Sequence, residues 1–332
     1  MDQKNQIIES LDILRKRDVA AKQPFKAKAY EKVIRQLRNY VGEIRTIDDL
    51  AGVSGIGEKI HAKIVEILET GALASAERVR DSGVLDALDV FQGIYGVGPA
   101  KASALVGAGI KTIAELRAAV AADPKLLNDN QKIGLAYYED LLERIPRSEM
   151  EQHETILRNM NSVFTLEIVG SYRRGAASSG DIDVLLRVPA SMSQVDAQKH
   201  FAAYIERLQS TLYIDEILAQ GPKKCMAISS IDKARRLDLL LTPADEYAYA
   251  LLYFTGSDKF NVAFRSHALS RGYTLNEHTM MGVESHERVA VETEADIFAA
   301  LGLRYIAPTE RVDEAQIIVL RAKPRVILPE TA

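Results

Sequence analysis

The chain has 332 residues, 47% of them hydrophobic, and a formal net charge of −4, enough for roughly two to four compact units with real cores. No run approaches the ~20 consecutive apolar residues of a membrane span, and the charged start (Asp2, Lys4, Glu9, Asp12) lacks the apolar stretch of an export signal. The single cysteine, Cys225, excludes an internal disulfide and a cysteine-rich zinc site and suits a reducing compartment, so an intracellular protein is expected.

The first third reads as helices. Apolar residues at Ile7, Leu11 and Leu14, then at Val33, Leu37 and Tyr40, recur at three- and four-residue steps. Between Arg15 and Arg38 stand nine basic residues (Arg15, Lys16, Arg17, Lys22, Lys26, Lys28, Lys32, Arg35, Arg38) against two acids, Asp18 and Glu31. A nucleic-acid face and a solvated helix face both carry such a run. Two short segments then repeat one another: Val53-Ser54-Gly55-Ile56-Gly57-Glu58-Lys59-Ile60 and Ile94-Tyr95-Gly96-Val97-Gly98-Pro99-Ala100-Lys101. Each is an apolar-x-Gly-apolar-Gly turn that opens a helix.

From Phe164 the period changes to two. Phe164 to Gly170, Asp181-Ile182-Asp183-Val184-Leu185-Leu186, and Arg235-Arg236-Leu237-Asp238-Leu239-Leu240-Leu241 read as strands, with a helix over about residues 194–208 between the last two. Beyond Tyr247 the pattern mixes helices and short strands. The chain therefore reads as a helical half joined to an α+β half, with joints near residues 80–86 and 144–149.

A Gly-x-Gly turn at a helix start exposes backbone N–H groups that bind phosphate, and glycine lets a sugar-phosphate chain approach closely. Two copies, trailed by Lys59 and Lys101, fit two contacts on a nucleic-acid backbone and resemble paired helix-hairpin-helix motifs. A plain tight turn is the alternative for either copy. A dinucleotide fold fits poorly, because Gly52, Gly55 and Gly57 have the wrong order for its fingerprint and no strand precedes them.

The acids carry more chemistry. Asp181 and Asp183 stand two apart on a predicted strand and so share one face. Such a pair repels unless something cationic lies between. Asp238 sits among leucines, where an unpartnered acid is costly. Three hard-oxygen ligands can hold two Mg²⁺ ions, one activating a hydroxyl and one holding phosphates. The lead-in Gly170-Ser171-Tyr172-Arg173-Arg174-Gly175 adds turn N–H groups, a hydroxyl and a guanidinium fork for phosphate oxygens.

Together with Leu252-Tyr253-Phe254-Thr255-Gly256-Ser257-Asp258 and the hinge Arg144-Ile145-Pro146-Arg147, these motifs resemble, in order and spacing, the family X DNA polymerases of the beta type, within the nucleotidyltransferase superfamily. The resemblance implies a multi-domain α and α+β fold. Residues 1–85 would form a helical lyase-like domain with the first helix-hairpin-helix, and 86–147 a helical DNA-binding subdomain with the second. Residues 148–246 would form a nucleotidyltransferase palm with a mixed sheet, and 247–311 a small α+β subdomain that selects the nucleotide. Residues 312–332 stay unassigned, although Ile317 to Leu320 and Val326 to Leu328 could form an added strand pair.

It also implies roles. Asp181, Asp183 and Asp238 would bind two Mg²⁺ (Mn²⁺ substituting), with Na⁺ or K⁺ at the glycine turns. Arg147, Ser171, Arg174 and Gly180 would hold the triphosphate. Tyr253, Phe254 and Gly256 would face the sugar, Asp258 and Asn261 the new base pair, and Arg265 the template. Lys63 would be the nucleophile of a 5′-deoxyribose-phosphate lyase, with Lys26, Tyr30 and Lys59 on the 5′-phosphate. Gly55, Gly57, Gly96, Gly98, Lys224 and Arg236 would contact DNA. The implied protein is a monomeric gap-filling polymerase of base excision repair, acting on gapped DNA and deoxyribonucleoside triphosphates. It would work in the nucleus of a eukaryote, or otherwise in a cytoplasm or virion.

Four positions depart from the family pattern. Ala51 replaces a phosphate-binding lysine, Val262 a lysine that packs on the template base, Leu240 an arginine and His278 a tyrosine of a switching network in which Glu277 remains. Template-independent addition is the second reading, but only Ala227 to Leu237 separate Met226 from Asp238, too short for a loop that replaces a template. A DNA-binding scaffold without catalysis is a third. Neither a BRCT domain nor a metal-dependent nuclease domain is expected within these residues.

Overall fold

The computed structural model describes residues 3–21 and 23–320 and divides into two compact units, Met1–Tyr138 and Glu139–Ala332. The first is all helix: α1 (Lys4–Ala20), α2 (Pro24–Asn39), α3 (Glu58–Thr70), α4 (Ala74–Asp81), α5 (Val84–Gln92), α6 (Pro99–Gly107), α7 (Ile113–Ala122) and α8 (Asp129–Ala136). Start signals are local: Pro24 and Pro99 at first turns, and capping boxes at Thr112–Glu115 and Asn128–Gln131. Ile7, Leu11, Leu14, Val33 and Leu37 are buried, as their spacing predicts. Helices α1 to α4 share one core and α5 to α8 another. The change of core falls at Ser82 and Gly83, where Gly83 takes φ +67°.

Helix α9 (Tyr138–Leu142) spans the division. The second unit follows with β1 (Ile145–Pro146), α10 (Arg147–Met160), β2 (Thr165–Ile168), α11 (Gly170–Arg173), β3 (Ser178–Ser179), β4 (Ile182–Arg187), α12 (Gln194–Ser210), β5 (Ile214–Gln220), β6 (Lys224–Ser230) and β7 (Ala234–Thr242). Five strands form one mixed sheet in the order β2-β4-β7-β6-β5. Only β4 and β7 run parallel, in a register that sets Asp183 beside Asp238. The period of two then divides the faces. Ile182, Val184, Leu186, Leu237, Leu239 and Leu241 pack with α10 and α12. Leu185 and Leu240 meet residues of α13 (Tyr247–Thr255) on the other side, the side of Asp183 and Asp238.

Two strand limits differ from expectation. The strand begins at Ile182, so Asp181 stands just before it, and Gly170 opens α11 instead of ending β2. Gly170 takes φ +61°, which turns the chain off the sheet.

The remainder is α14 (Asp258–Ser270), β8 (Tyr273–Leu275), β9 (Met280–Gly282) and α15 (Glu294–Ala300), around a core of Tyr249, Leu252, Phe260, Phe264 and Phe298. Of the apolar tail segments, residues 318–320 lie along 302–304 through Arg304 N–H to Ile318 O (3.0 Å) and Leu320 N–H to Gly302 O (2.8 Å). Val326 to Leu328 lie outside the described residues, as does Lys22. No helix among the described residues is long and apolar enough to cross a membrane.

Candidate active site

Parallel neighbours at the sheet centre bring Asp183 and Asp238 together because no connection forces them apart: β4 and β7 pair from Ile182 beside Leu237 to Arg187 beside Thr242. Asp183 Oδ2 lies close under Gly170, where a side chain's Cβ would stand 3.3 Å away. Burial, helped by the charges of Asp181 and Asp238, pushes the Asp183 carboxyl up to about 7. Burial also raises Asp238, against the pull of Arg236 and Lys224. Asp238 Oδ1 is buried without a hydrogen-bond partner, while Oδ2 lies 3.7 Å from Lys224 Nζ. Asp181 accepts a hydrogen bond from Arg236 at 2.6 Å.

The acids do not close into a cage. Among the described residues no three acid, histidine or cysteine side chains stand close enough to enclose an ion, and Asp181 and Asp238 each lie beside a cation of the chain, Arg236 and Lys224. The donor set still suits a hard divalent cation: a partnerless buried carboxylate oxygen and an acid destabilised by two others are both relieved by positive charge.

The arginines are more committed to protein than their motif suggests. Arg174 donates to Thr255 O at 2.6 Å, and burial pulls its guanidinium below the usual range. Arg147 donates to Tyr172 O at 3.0 Å and lies 4.4 Å over that ring. Ser171 Oγ donates to Ser179 Oγ at 3.0 Å, and the space beside Gly180 is open. Tyr253 and Phe254 stand edge to face at 5.1 Å, and Asn261 donates to Tyr253 O at 2.7 Å, tying α14 to α13. Gly256 takes φ +67° with Arg174 3.2 Å from where its Cβ would be, so only glycine fits. Asp258, Asn261 and Arg265 share one face of α14 by their spacing. His278 Nδ1 donates to Glu246 Oε2 (2.7 Å), with Glu277 3.8 Å away.

Sequence reasoning passed over Arg173, Glu294 and Arg311. Arg173 donates to Thr255 Oγ1 (2.7 Å) and grips Glu294 (2.7 Å), which Arg311, fully buried, also holds. The adjacent arginines of the Arg173-Arg174 pair thus clasp one residue, Thr255. Nothing local marks Glu294, which is 121 positions from Arg173.

In the helical unit the two glycine turns are conformational copies. Gly55 and Gly96 take φ +93° and +79°. Gly57 and Gly98 cap α3 and α6 at φ/ψ −81°/169° and −83°/173°. A glutamine braces each: Gln36 accepts from Ser54 N–H at 3.0 Å, and Gln131 donates to Gly96 O at 2.9 Å. The trailing lysines differ. Lys101 donates to Leu126 O, whereas Lys59 is exposed on α3. Lys63, one turn on, donates to Lys59 O at 3.2 Å. Lys26 is exposed but Tyr30 is only 8% so, and burial raises its phenol with help from Asp18. The basic run narrows: Arg15 and Lys16 pair with Asp12 and Arg17 with Asp18. Lys26, Lys28, Lys32, Arg35 and Arg38 remain along α2.

Comparison with known families matches four descriptions in chain order. These are a helix-hairpin-helix domain (residues 2–73), the fingers domain of DNA polymerase lambda (89–142), the DNA polymerase beta palm (144–244) and the DNA polymerase beta thumb (250–312). DNA polymerase lambda of Rattus norvegicus is 30% identical over 328 residues, covering 92% of this chain and 56% of the relative. DNA polymerase lambda of Arabidopsis thaliana is 28% identical, covering 85% and 57%. DNA nucleotidylexotransferase of Gallus gallus is 28% identical, covering 81% and 59%. The chain thus spans a little over half the length of these relatives.

Proposed function

This chain belongs to family X of the DNA polymerases, of the beta type, and we propose that it fills short gaps in DNA by template-directed, metal-dependent nucleotidyl transfer. One observation carries the reading: Asp183 and Asp238 are register partners on the parallel pair, with Asp183 pushed up to about 7 and Asp238 Oδ1 partnerless.

Asp181, Asp183 and Asp238 would hold the ions. Two Mg²⁺ bound there, or Mn²⁺ in their place, would lower the pKa of the primer 3′-hydroxyl and neutralise the triphosphate. The remaining work belongs to the chain. Ser171, the α11 turn and open Gly180 receive phosphate oxygens, and Arg174 and Arg147 turn their unused donors to them. Tyr253, Phe254 and Gly256 wall the sugar, where a 2′-hydroxyl would meet backbone. Asp258 lies against the base, and Asn261 and Arg265 probe the new pair from the same face of α14. Lys224 and Arg236, now on Asp238 and Asp181, are set to meet the primer strand. The glycine turns at Gly55–Gly57 and Gly96–Gly98 grip backbone phosphates, with Na⁺ or K⁺ as a bridging ion.

We propose a second chemistry in the helical unit. Lys63 attacks the C1′ aldehyde of a 5′-deoxyribose phosphate and loses water to form an imine. β-Elimination then breaks the C3′–O bond and frees the 5′-phosphate end, while Lys26, Lys59 and the rim of Tyr30 hold the sugar's own phosphate.

The β6–β7 connection bears on template use. Ser230 pairs with Ala234, leaving a turn of Ile231, Asp232 and Lys233 that cannot reach across a template strand. The test is Mg²⁺-dependent extension of a primer on one-nucleotide-gapped DNA with a 5′-phosphate, each nucleotide supplied alone. Addition of the complementary nucleotide only is expected. Addition regardless of template moves the assignment to terminal transfer, and tight gap binding without addition makes the chain a scaffold.

A further inference from the structure

The family match to the thumb ends at residue 312, yet the chain continues and turns back on the same subdomain. Ser257, which separates Gly256 from Asp258, is held by the last two residues of that match, where the continuation begins. Its N–H points to Arg311 O at 3.4 Å and its hydroxyl donates to Val312 O. The same hydroxyl oxygen accepts from Phe260 N–H at 3.3 Å, as the N-cap of α14. One residue therefore joins the first turn of α14 to residues 311–312, its hydroxyl to Val312 and its N–H to Arg311.

The acceptor end is fixed. Arg311 is a core residue: its guanidinium binds Glu294 and Ile306 O (3.0 Å) and lies 5.5–5.9 Å from the rings of Phe298, Tyr305 and Phe260. Beyond Val312, Asp313 caps a short 3-10 turn through Ala315 N–H (2.9 Å), and Ile317 packs on the subdomain core. Residues 318–320 then pair with 302–304. Anchored at both ends, residues 311–320 form a strap. Between strap and α14 runs a groove of about 990 Å³ that opens beside Asp258 and is walled by Lys259, Val262, Asp313, Glu314 and Ile317.

From the other side, Arg173 and Arg174 clasp Thr255. The turn Thr255-Gly256-Ser257-Asp258 is thus pinned from two directions, and the strap that holds one side of it runs on past the end of the thumb match at residue 312. We infer that Ser257 is a positioning residue, and that the strap, acting through Val312 O, fixes the start of α14 and with it the nucleotide-facing residues Gly256 and Asp258. This rests on the proposed function for what the turn faces, but not for how the turn is held.

The test compares the full chain with Ser257→Ala, Ser257→Thr, a chain ended at Arg311, and the Ser257→Ala change within that shortened chain. For Ser257→Ala, KM for the complementary nucleotide should rise on the order of tenfold, the size of a lost cap. kcat and affinity for gapped DNA should change by less than about twofold, and Ser257→Thr should restore KM. The shortened chain should reproduce the defect, and the double change should add less than the sum of the two, because both remove the hydrogen bond from Ser257 to Val312 O. Hydrogen exchange gives a readout independent of activity: the Phe260 amide should exchange on the order of tenfold faster in the shortened chain, which keeps the Ser257 hydroxyl, as well as in Ser257→Ala, and should recover in Ser257→Thr. A wild-type chain that extends no primer rejects the proposed function, and the exchange result then decides the strap alone. Unchanged KM in Ser257→Ala or unchanged Phe260 exchange in the shortened chain overturns the inference, as do fully additive effects in the double change.

Discussion

The two candidate sites, one in each unit, are built on opposite principles. The acids of the second unit stand on the central strands of a sheet, with Asp238 8% exposed and Asp183 pushed up to about 7. The lysines of the first unit stand on helix surfaces, and Lys63 donates to the Lys59 carbonyl one turn back. A buried acid among acids has no structural reason to be there, because leucine in its place would be more stable. An exposed lysine has every reason to be there as a solvated charge. The sheet site therefore declares its chemistry through its cost, and the helix site only through its resemblance.

If that contrast is right, removing charge should raise stability at the sheet site and leave it unchanged at the helix site. Asp183→Asn should abolish nucleotide addition, by on the order of a thousandfold or more, while raising the thermal midpoint by a few degrees, since it removes a buried charge facing two others. A lowered midpoint would mean that the acids are held by partners and not strained. Lys63→Ala should leave the midpoint and gap filling unchanged but remove the borohydride-trapped DNA adduct. A persisting adduct places the nucleophile on another lysine.

His153 supplies a second buried group in the sheet unit and extends the comparison to pH. It is fully buried on α10, with Nδ1 2.7 Å from Tyr213 Oη, and burial lowers its pKa to about 4. The unfolded chain takes up this proton near pH 6.5 and the folded chain only near 4, so stability falls as pH drops between those values, by on the order of 3 kcal/mol. Denaturant titrations of wild type and His153→Gln should diverge across that window, with the variant flatter. Parallel curves would remove His153 from the account. The smallest effects belong to the glycine turns. Gln36→Ala and Gln131→Ala should each cost about 1 kcal/mol of local stability and weaken DNA binding a few-fold. A loss confined to one of them would show that the two copies do not share the grip.

The same contrast explains what was legible in the sequence. Period-two patterning marks the strands that carry Asp183 and Asp238, because alternation is a property of the strand itself, but the parallel register that makes the two acids neighbours belongs to the sheet. The paired glycine turns were legible because a left-handed φ at Gly55 and Gly96 needs glycine. Where the chain leaves the strand was not: Asp181 falls outside because Gly180 and Asp181 bend before the ladder starts. Partners far apart in sequence left no local trace either. Glu294 meets Arg173 across 121 positions and Gln131 meets Gly96 across 35, and no periodicity links such pairs. Arg147 and Arg174 were read as phosphate ligands from their motif, yet both first serve backbone carbonyls, a use that composition cannot separate from ligand binding. Residues 318–320 do form an added backbone pairing, but with 302–304.

The central claim is that the three carboxylates perform metal-dependent nucleotidyl transfer, and Asp238→Ala tests it most directly. Single-turnover extension of a gapped primer should be measured at saturating Mg²⁺, with gapped-DNA affinity determined on the same preparation. Addition should be lost by on the order of a thousandfold or more with DNA affinity unchanged, because the substitution removes a metal ligand and no phosphate contact. Extension at near wild-type rate would contradict it.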